Sequence, residues 1–233
     1  EFIGFHHKIE EPLANDPTTG KPACIKRWVV SLPTKDEEKI LNSAYKEIDT
    51  SVVTSLKAYA GKEFFESLRH PSKETELNSF GAWIEKDQED NDPALIIAMS
   101  HHGKGALSDS SGEVLALNVK RQFAQPSIAI LNGCGTVAPG FTDFIKELNE
   151  RNITTVIATS TQVEASMAGD FITCLGQQIK TAKEKGEKEI AVSDAFVRTL
   201  KCLYGKPSHY DVKVLKYSLL GDGNLRLCIP SAP

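Results

Sequence analysis

The order of apolar runs and amphipathic stretches predicts an α/β domain built on a mainly parallel sheet with helices on both faces. Three observations carry this expectation. The runs Ala94 to Ser100 and Ser127 to Leu131 are short, almost wholly apolar and rich in β-branched residues, as buried parallel strands are. Stretches with apolar residues at helical spacing alternate with such runs along nearly the whole chain. No internal repeat or interdomain linker breaks the pattern, so one domain is expected over residues 23–233. Pro12, Pro17, Gly20 and Pro22 mark residues 1–22 as an entry linker or extended arm.

The elements follow in order. Ile25 to Leu32 reads as a strand ended by Pro33. Thr34 and Glu37 form a capping box for a helix to about Ile48. Ser51 to Leu56 reads as a second strand. Lys62 to Leu68 and Glu74 to Lys86 read as helices separated by Pro71, and Asp87 to Pro93 as an acidic, solvated turn. After the apolar run from Ala94, the segments Ala106-Leu107 and Glu113 to Leu117 flank a polar turn ending in Gly112, the pattern of a β-hairpin. Asn118 to Ala124 reads as a short helix. Gly140 to Asn149, Ala165 to Lys183 and Ala191 to Leu203 read as longer ones. Ile153 to Ala158 and Val212 to Leu220 read as strands, and Leu225 to Ile229 as a short terminal strand.

Composition narrows the function classes. The chain has 233 residues, is 40% hydrophobic and 25% charged, and carries a net charge of -4. That supports a full core and advertises no basic face, so nucleic acid is not expected as a direct ligand. The longest apolar runs are too short to span a bilayer, and no membrane role is expected. The five cysteines, Cys24, Cys134, Cys174, Cys202 and Cys228, are odd in number and irregularly spaced, without a CxxC or Cys/His metal pattern. No metal is expected. Unpaired cysteines in a reducing, cytoplasmic setting are the simplest reading, with four of the five as packing residues.

Two loops stand apart. The run from Ala94 ends in His101-His102-Gly103, and the run from Ser127 ends in Asn132-Gly133-Cys134-Gly135-Thr136. Ligands and reacting groups in α/β sheets gather beyond the carboxyl ends of the strands. If the two strands are neighbours, a histidine and a glycine-flanked cysteine meet at one sheet edge, which suits a thiolate nucleophile and its base. Gly103 and Gly135 open the backbone there for an approaching carbonyl, and N–H groups in these loops can form an oxyanion hole. The competing reading makes Cys134 a small packing residue and the histidines a polar strand end. Phosphate-loop readings fail because Asn132 to Thr136 lacks the P-loop lysine and no GxGxxG opens a helix.

The motif set resembles the caspase-like cysteine peptidases, and most closely their CHAT branch, which occurs in prokaryotic defence systems and is often fused to TPR or other sensor modules. The matching features are strand-His-Gly at Ile96 to Gly103, strand-x-x-Cys-Gly at Ile128 to Gly135, the strand and polar loop Thr155 to Val163, and the ending Gly221-Asp222-Gly223-Asn224-Leu225-Arg226-Leu227. The resemblance implies a caspase-like six-stranded sheet and a cysteine endopeptidase that cleaves protein through a thioester, without a cofactor. His102, directly before Gly103, matches the catalytic histidine, and Cys134 the nucleophile. The backbone N–H groups of Gly103 and Cys134 match the oxyanion donors. Asn132 matches a residue bordering the S1 pocket, and Ser160, Thr161 and Gln162 the loop flanking substrate. The resemblance further implies a cytoplasmic effector switched on by a partner or fused sensor module. The alternative is a silent caspase-like scaffold that binds partners.

Overall fold

A computed structural model describes residues 24–31, 56, 65–67, 80–99, 101–103, 106–109, 112–137, 141–206 and 216–229. The expected arm over 1–22, helix over 34–48 and strand over 51–55 lie outside these residues.

The chain enters through β1 (Arg27–Ser31), β2 (Phe65–Ser67) and the short helix α1 (Phe80–Ile84). It continues through β3 (Glu89–Asp90), β4 (Ala94–Ala98), β5 (His101–Gly103), β6 (Ala106–Asp109) and β7 (Gly112–Leu115). After a turn of 3-10 helix come β8 (Gln122–Phe123), β9 (Ile128–Leu131), α2 (Thr142–Glu150) and β10 (Thr155–Thr159). The last elements are α3 (Ala165–Glu184), β11 (Glu189–Ala191), α4 (Val192–Tyr204), β12 (Tyr217–Gly221) and β13 (Arg226–Cys228).

The central sheet has six strands in the order β12-β10-β9-β4-β1-β2. All neighbours run parallel except β12, which pairs antiparallel with β10. The period-2 alternation of strand side chains divides the core into two layers. Trp28, Val30, Leu95, Ile97, Ile128, Ile130 and Ile157 face α3 and α4, where Phe171, Ile172, Leu175 and Leu203 meet them. Val29, Ile96, Ala98, Ala129, Leu131 and Val156 face the other way, against Phe80, Trp83 and Ile84 of α1 and Phe144, Ile145 and Leu148 of α2. Burial on both faces explains why β4 and β9 read as unbroken apolar runs rather than alternating ones. The expected fold class, a mainly parallel six-stranded sheet with helices on both faces, is therefore the observed one.

Four local expectations are corrected. Phe65 to Ser67 lie in a strand, not a helix, because the edge of β1 offers a ladder that pairs Trp28 with Phe65. Packing on a neighbour overrides a short helical pattern. Asn118 to Ala124 do not form a helix: after the 3-10 turn the chain extends as β8 and pairs in parallel with β3. Within the acidic turn, Asp90 is buried rather than solvated. It accepts hydrogen bonds from Arg121 at 2.8 Å and Arg27 at 3.0 Å. Arg121 is buried too, donating through Nε to Trp83 O at 2.8 Å and lying 4.3 Å from the Trp83 ring centre. The pair is thus supported by further hydrogen bonding and by a cation–π contact.

The fourth correction concerns the cysteines. Cys24 is bonded to Cys228, with Cα atoms 5.1 Å apart, and Cys174 to Cys202, at 5.8 Å. The packing role expected for these four missed their partners because each pair joins distant segments. The first bridge ties the entry of β1 to β13, the second ties α3 to α4. Cys134 is the one free cysteine. Among the described residues no helix is long and apolar enough to cross a membrane.

Two outcomes check this account. Asp90→Ala leaves Arg121 a buried charge without its carboxylate, and should cost about 3–5 kcal/mol in denaturant unfolding; a loss below about 1 kcal/mol would contradict the buried pair. Digestion of the native chain without reduction should yield linked Cys24/Cys228 and Cys174/Cys202 peptides, with the alkylating reagent on Cys134 alone.

Candidate active site

The site grows from the register between β4 and β9. Ala98 and Leu131, the last residues of the two strands, are partners in the parallel ladder. The pairing is pinned at both ends. At the start, the Ala94 N–H donates to Ser127 Oγ at 3.1 Å. At the finish, the Asn132 N–H donates to Ala98 O at 2.9 Å. His102 follows Ala98 and Cys134 follows Leu131 within a few residues, so both loops leave the same end of adjacent strands.

The histidine side differs in one respect from the sequence reading. The run from Ala94 to Ser100 is not one strand leading into the histidines. β4 stops at Ala98, and His101–Gly103 form a separate strand whose partner is β6. The expected hairpin, β6 with β7, captures this segment into a three-stranded antiparallel sheet. The register sets His102 opposite Leu107 and His101 opposite Ser108. Leu107 and Val114, partners across the hairpin, are buried in the core layer below.

The cysteine side is stitched to the end of β10. Gly135 has φ +64°, a left-handed conformation that glycine adopts without steric cost. It turns the chain directly after Cys134. The Gly135 N–H then donates to Thr161 O and the Val137 N–H to Thr159 O, each at 2.9 Å. Thr136 is fully buried. Its hydroxyl accepts from the Thr159 N–H at 2.7 Å and donates to Leu131 O at 3.2 Å. The Thr159 hydroxyl donates to Gly133 O. The loop is therefore held by buried hydrogen bonds although its sequence is glycine-rich.

Cys134 itself is partly exposed, and its thiol lies 3.7 Å from Val163 O, a donor contact to the next loop. Ser160, Thr161 and Gln162 are exposed beside it. Their loop is held by the Ser160 N–H, which donates to Lys216 O at 2.7 Å, and by Lys216 Nζ, which donates to Gln162 O. Asn132 lies inward of this loop. It is buried, with its amide Nδ2 donating to Ala168 O at 2.8 Å and Oδ1 accepting from the Tyr217 hydroxyl at 2.7 Å. Both ends of its amide are thus occupied inside the core. Thr136 and Thr159 lie within the two segments marked in sequence but were given no role there. Nothing local marks Lys216 or Tyr217, which reach the site because β12 pairs with β10.

Fold and site together define a class: an α/β sheet with a free, glycine-flanked thiol beyond one parallel strand and a histidine segment beyond its neighbour. No protein-family model and no curated protein sequence matches the chain. Among solved structures, it is similar to the Arg-specific cysteine proteinase gingipain R, with TM-score 0.56 and 10% identity over 89% of this chain and 48% of that one. It is also similar to the complex of Porphyromonas gingivalis RgpB pro- and mature domains (TM-score 0.51, 10% identity, 89% and 49% covered). The Saccharomyces cerevisiae separase–securin complex follows, with TM-score 0.53 and 11% identity over 91% of this chain and 13% of that one. What the chain shares with these structures, at 10–11% identity, is the fold. It spans about half the length of the gingipain chains.

The loop scaffold makes its own prediction. Thr136→Val keeps the shape but strips the buried Thr159 N–H of its acceptor, an expected cost of about 1–3 kcal/mol. Thermal unfolding and the alkylation rate of Cys134 should both report it. Unchanged stability and alkylation would show that the stitching is dispensable.

Proposed function

We propose that this chain is a cysteine endopeptidase acting through a Cys134–His102 dyad. The observation that carries the reading is the single free thiol, partly exposed on a turned loop, in register with the strand that leads to His102. In the proposed cycle, His102 takes the Cys134 thiol proton and the thiolate attacks the scissile carbonyl. The oxyanion is met by the N–H groups of Cys134 and Gly103. The C–N bond breaks as the imidazolium gives its proton to the leaving amine, leaving a thioester on Cys134. Water, deprotonated by His102, then releases the acid and restores the thiol. Ser160, Thr161 and Gln162 flank the substrate, with neutral side chains that offer no cationic fork for an acidic P1 residue.

The contact between the Cys134 thiol and Val163 O suggests a resting arrangement, with the nucleophile donating to its own neighbouring loop rather than to a base. Moving the 160–164 loop by a protein partner or fused sensor module would release it, which supports a partner-activated effector over a constitutive peptidase. The two disulfides redirect the setting. Such bridges persist in oxidising compartments, so we place the enzyme there rather than in the cytoplasm, and the cytoplasmic defence role implied by the CHAT-like ending goes with it. A scaffold that merely binds partners has no need of a free, partly exposed thiol.

The test is turnover of a broad peptide library by the purified oxidised chain beside Cys134→Ala and His102→Ala. Low turnover that vanishes in Cys134→Ala is expected, with at least about a hundredfold loss in His102→Ala. Undiminished turnover in Cys134→Ala would sink the peptidase reading; robust turnover by the chain alone would remove the need for an activating partner.

A further inference from the structure

We propose that Tyr217 and Asn132 form a positioning pair that sets Cys134 against the 160–168 segment; the proposal rests on the peptidase reading only for its kinetic consequence. Asn132 stands two residues before Cys134 and is tied to three elements at once. Its backbone N–H reaches Ala98 O at the end of β4. Its amide N–H reaches Ala168 O in the first turn of α3, and its amide oxygen receives the Tyr217 hydroxyl from β12. Asn132 is 2% and Tyr217 5% exposed, so these bonds are shielded from water. The Tyr217 ring stacks on Phe171 of α3 at 4.2 Å between centres, which fixes where its hydroxyl lies.

A leucine would fill the same space without needing partners. A buried amide with both ends engaged is satisfied only when β12, α3 and the β9 loop hold one relative placement, because either arm left open costs a desolvated polar group. That placement matters for chemistry. The Ala168 N–H donates to Glu164 O at 3.0 Å, so the first turn of α3 continues directly from Val163, whose carbonyl lies beside the thiol. One side chain thus references both the loop bearing the nucleophile and the segment facing it. Neither residue touches substrate in this account; both act through the position of Cys134.

The experiment compares wild type, Tyr217→Phe, Asn132→Asp and a control, Thr199→Val, in the oxidised chain. Tyr217→Phe removes the hydroxyl that donates to Oδ1 and keeps the ring on Phe171. Asn132→Asp keeps an acceptor for Tyr217 but loses the N–H toward Ala168 O. Thr199 donates to Ala195 O at 2.7 Å within α4 and is equally buried, so its loss reports a hydroxyl with no tie to the site. Three readouts are taken: thermal unfolding, the pH profile of Cys134 alkylation by iodoacetamide, and kcat and KM on the best library peptide. Both site variants should shift the alkylation profile and lower kcat about 10- to 100-fold, with KM within about twofold, while Thr199→Val changes only the unfolding temperature. Site variants that lose stability as Thr199→Val does yet keep the wild-type alkylation profile would overturn the pair. The alkylation profile needs no peptide: a wild type that hydrolyses nothing defeats the peptidase reading, and a profile shifted in both site variants alone still upholds the positioning role. If Tyr217→Phe unfolds, Asn132→Asp decides by the same readouts.

Discussion

The parallel register of β4 with β9 is the constraint on which the rest depends. Because Ala98 pairs with Leu131, the segments that follow them leave one sheet edge side by side, one bearing the histidines and the other the free cysteine. A slip of one residue would turn every side chain of a strand to the opposite core layer. A slip of β4 would turn Ile97 away from the layer it shares with α3 and Ala98 into it. The two-layered core thus guards the geometry of the site, and Ser127 and the Asn132 N–H close the ladder at its two ends.

Above that ladder the chain solves a conflict. A loop that presents a thiol needs open backbone beside it, and glycine supplies it, most clearly at Gly135 with its positive φ. Glycine also raises the entropy lost on ordering the loop. The structure offsets this with buried side chains that face inward: Thr136 and Thr159 beneath the turn, Asn132 and Tyr217 at its root. Order is supplied from below, while Cys134 and the side chains at 160–162 stay accessible above. The same arrangement explains how the thiol comes to rest on Val163 O, since the Gly135 N–H to Thr161 O bond draws the two loops together.

Much of this was legible in sequence, for a physical reason. β4, β9 and β10 are buried on both faces and so appear as apolar runs, and α3 carries its apolar residues at helical spacing over 20 residues. The hairpin β6–β7 is written in its polar, glycine-ended turn. The free cysteine stands out by its glycine neighbours. What escaped depends on partners far along the chain. β2 forms because β1 offers an edge; Asp90 is buried because Arg121, 31 residues on, answers its charge. The bridge from Cys24 to Cys228 spans 204 residues, and Tyr217 meets Asn132 across 85. Asn132 next to a cysteine motif reads as a polar loop residue until the tyrosine that satisfies it is in view.

The likeness to gingipain and separase structures, at 10–11% identity, rests on the sheet and its helices. The central claim, that Cys134 is an acylating nucleophile, rests on this chain's own site. It is tested most directly by offering the oxidised chain an activated peptide ester and measuring the intact protein and its peptides by mass spectrometry after an acid quench. The account predicts one acyl group on Cys134, released by neutral hydroxylamine as a thioester is, and absent in the Cys134→Ala chain. An acyl group on another residue, or none on Cys134 while its thiol still alkylates freely, would contradict it.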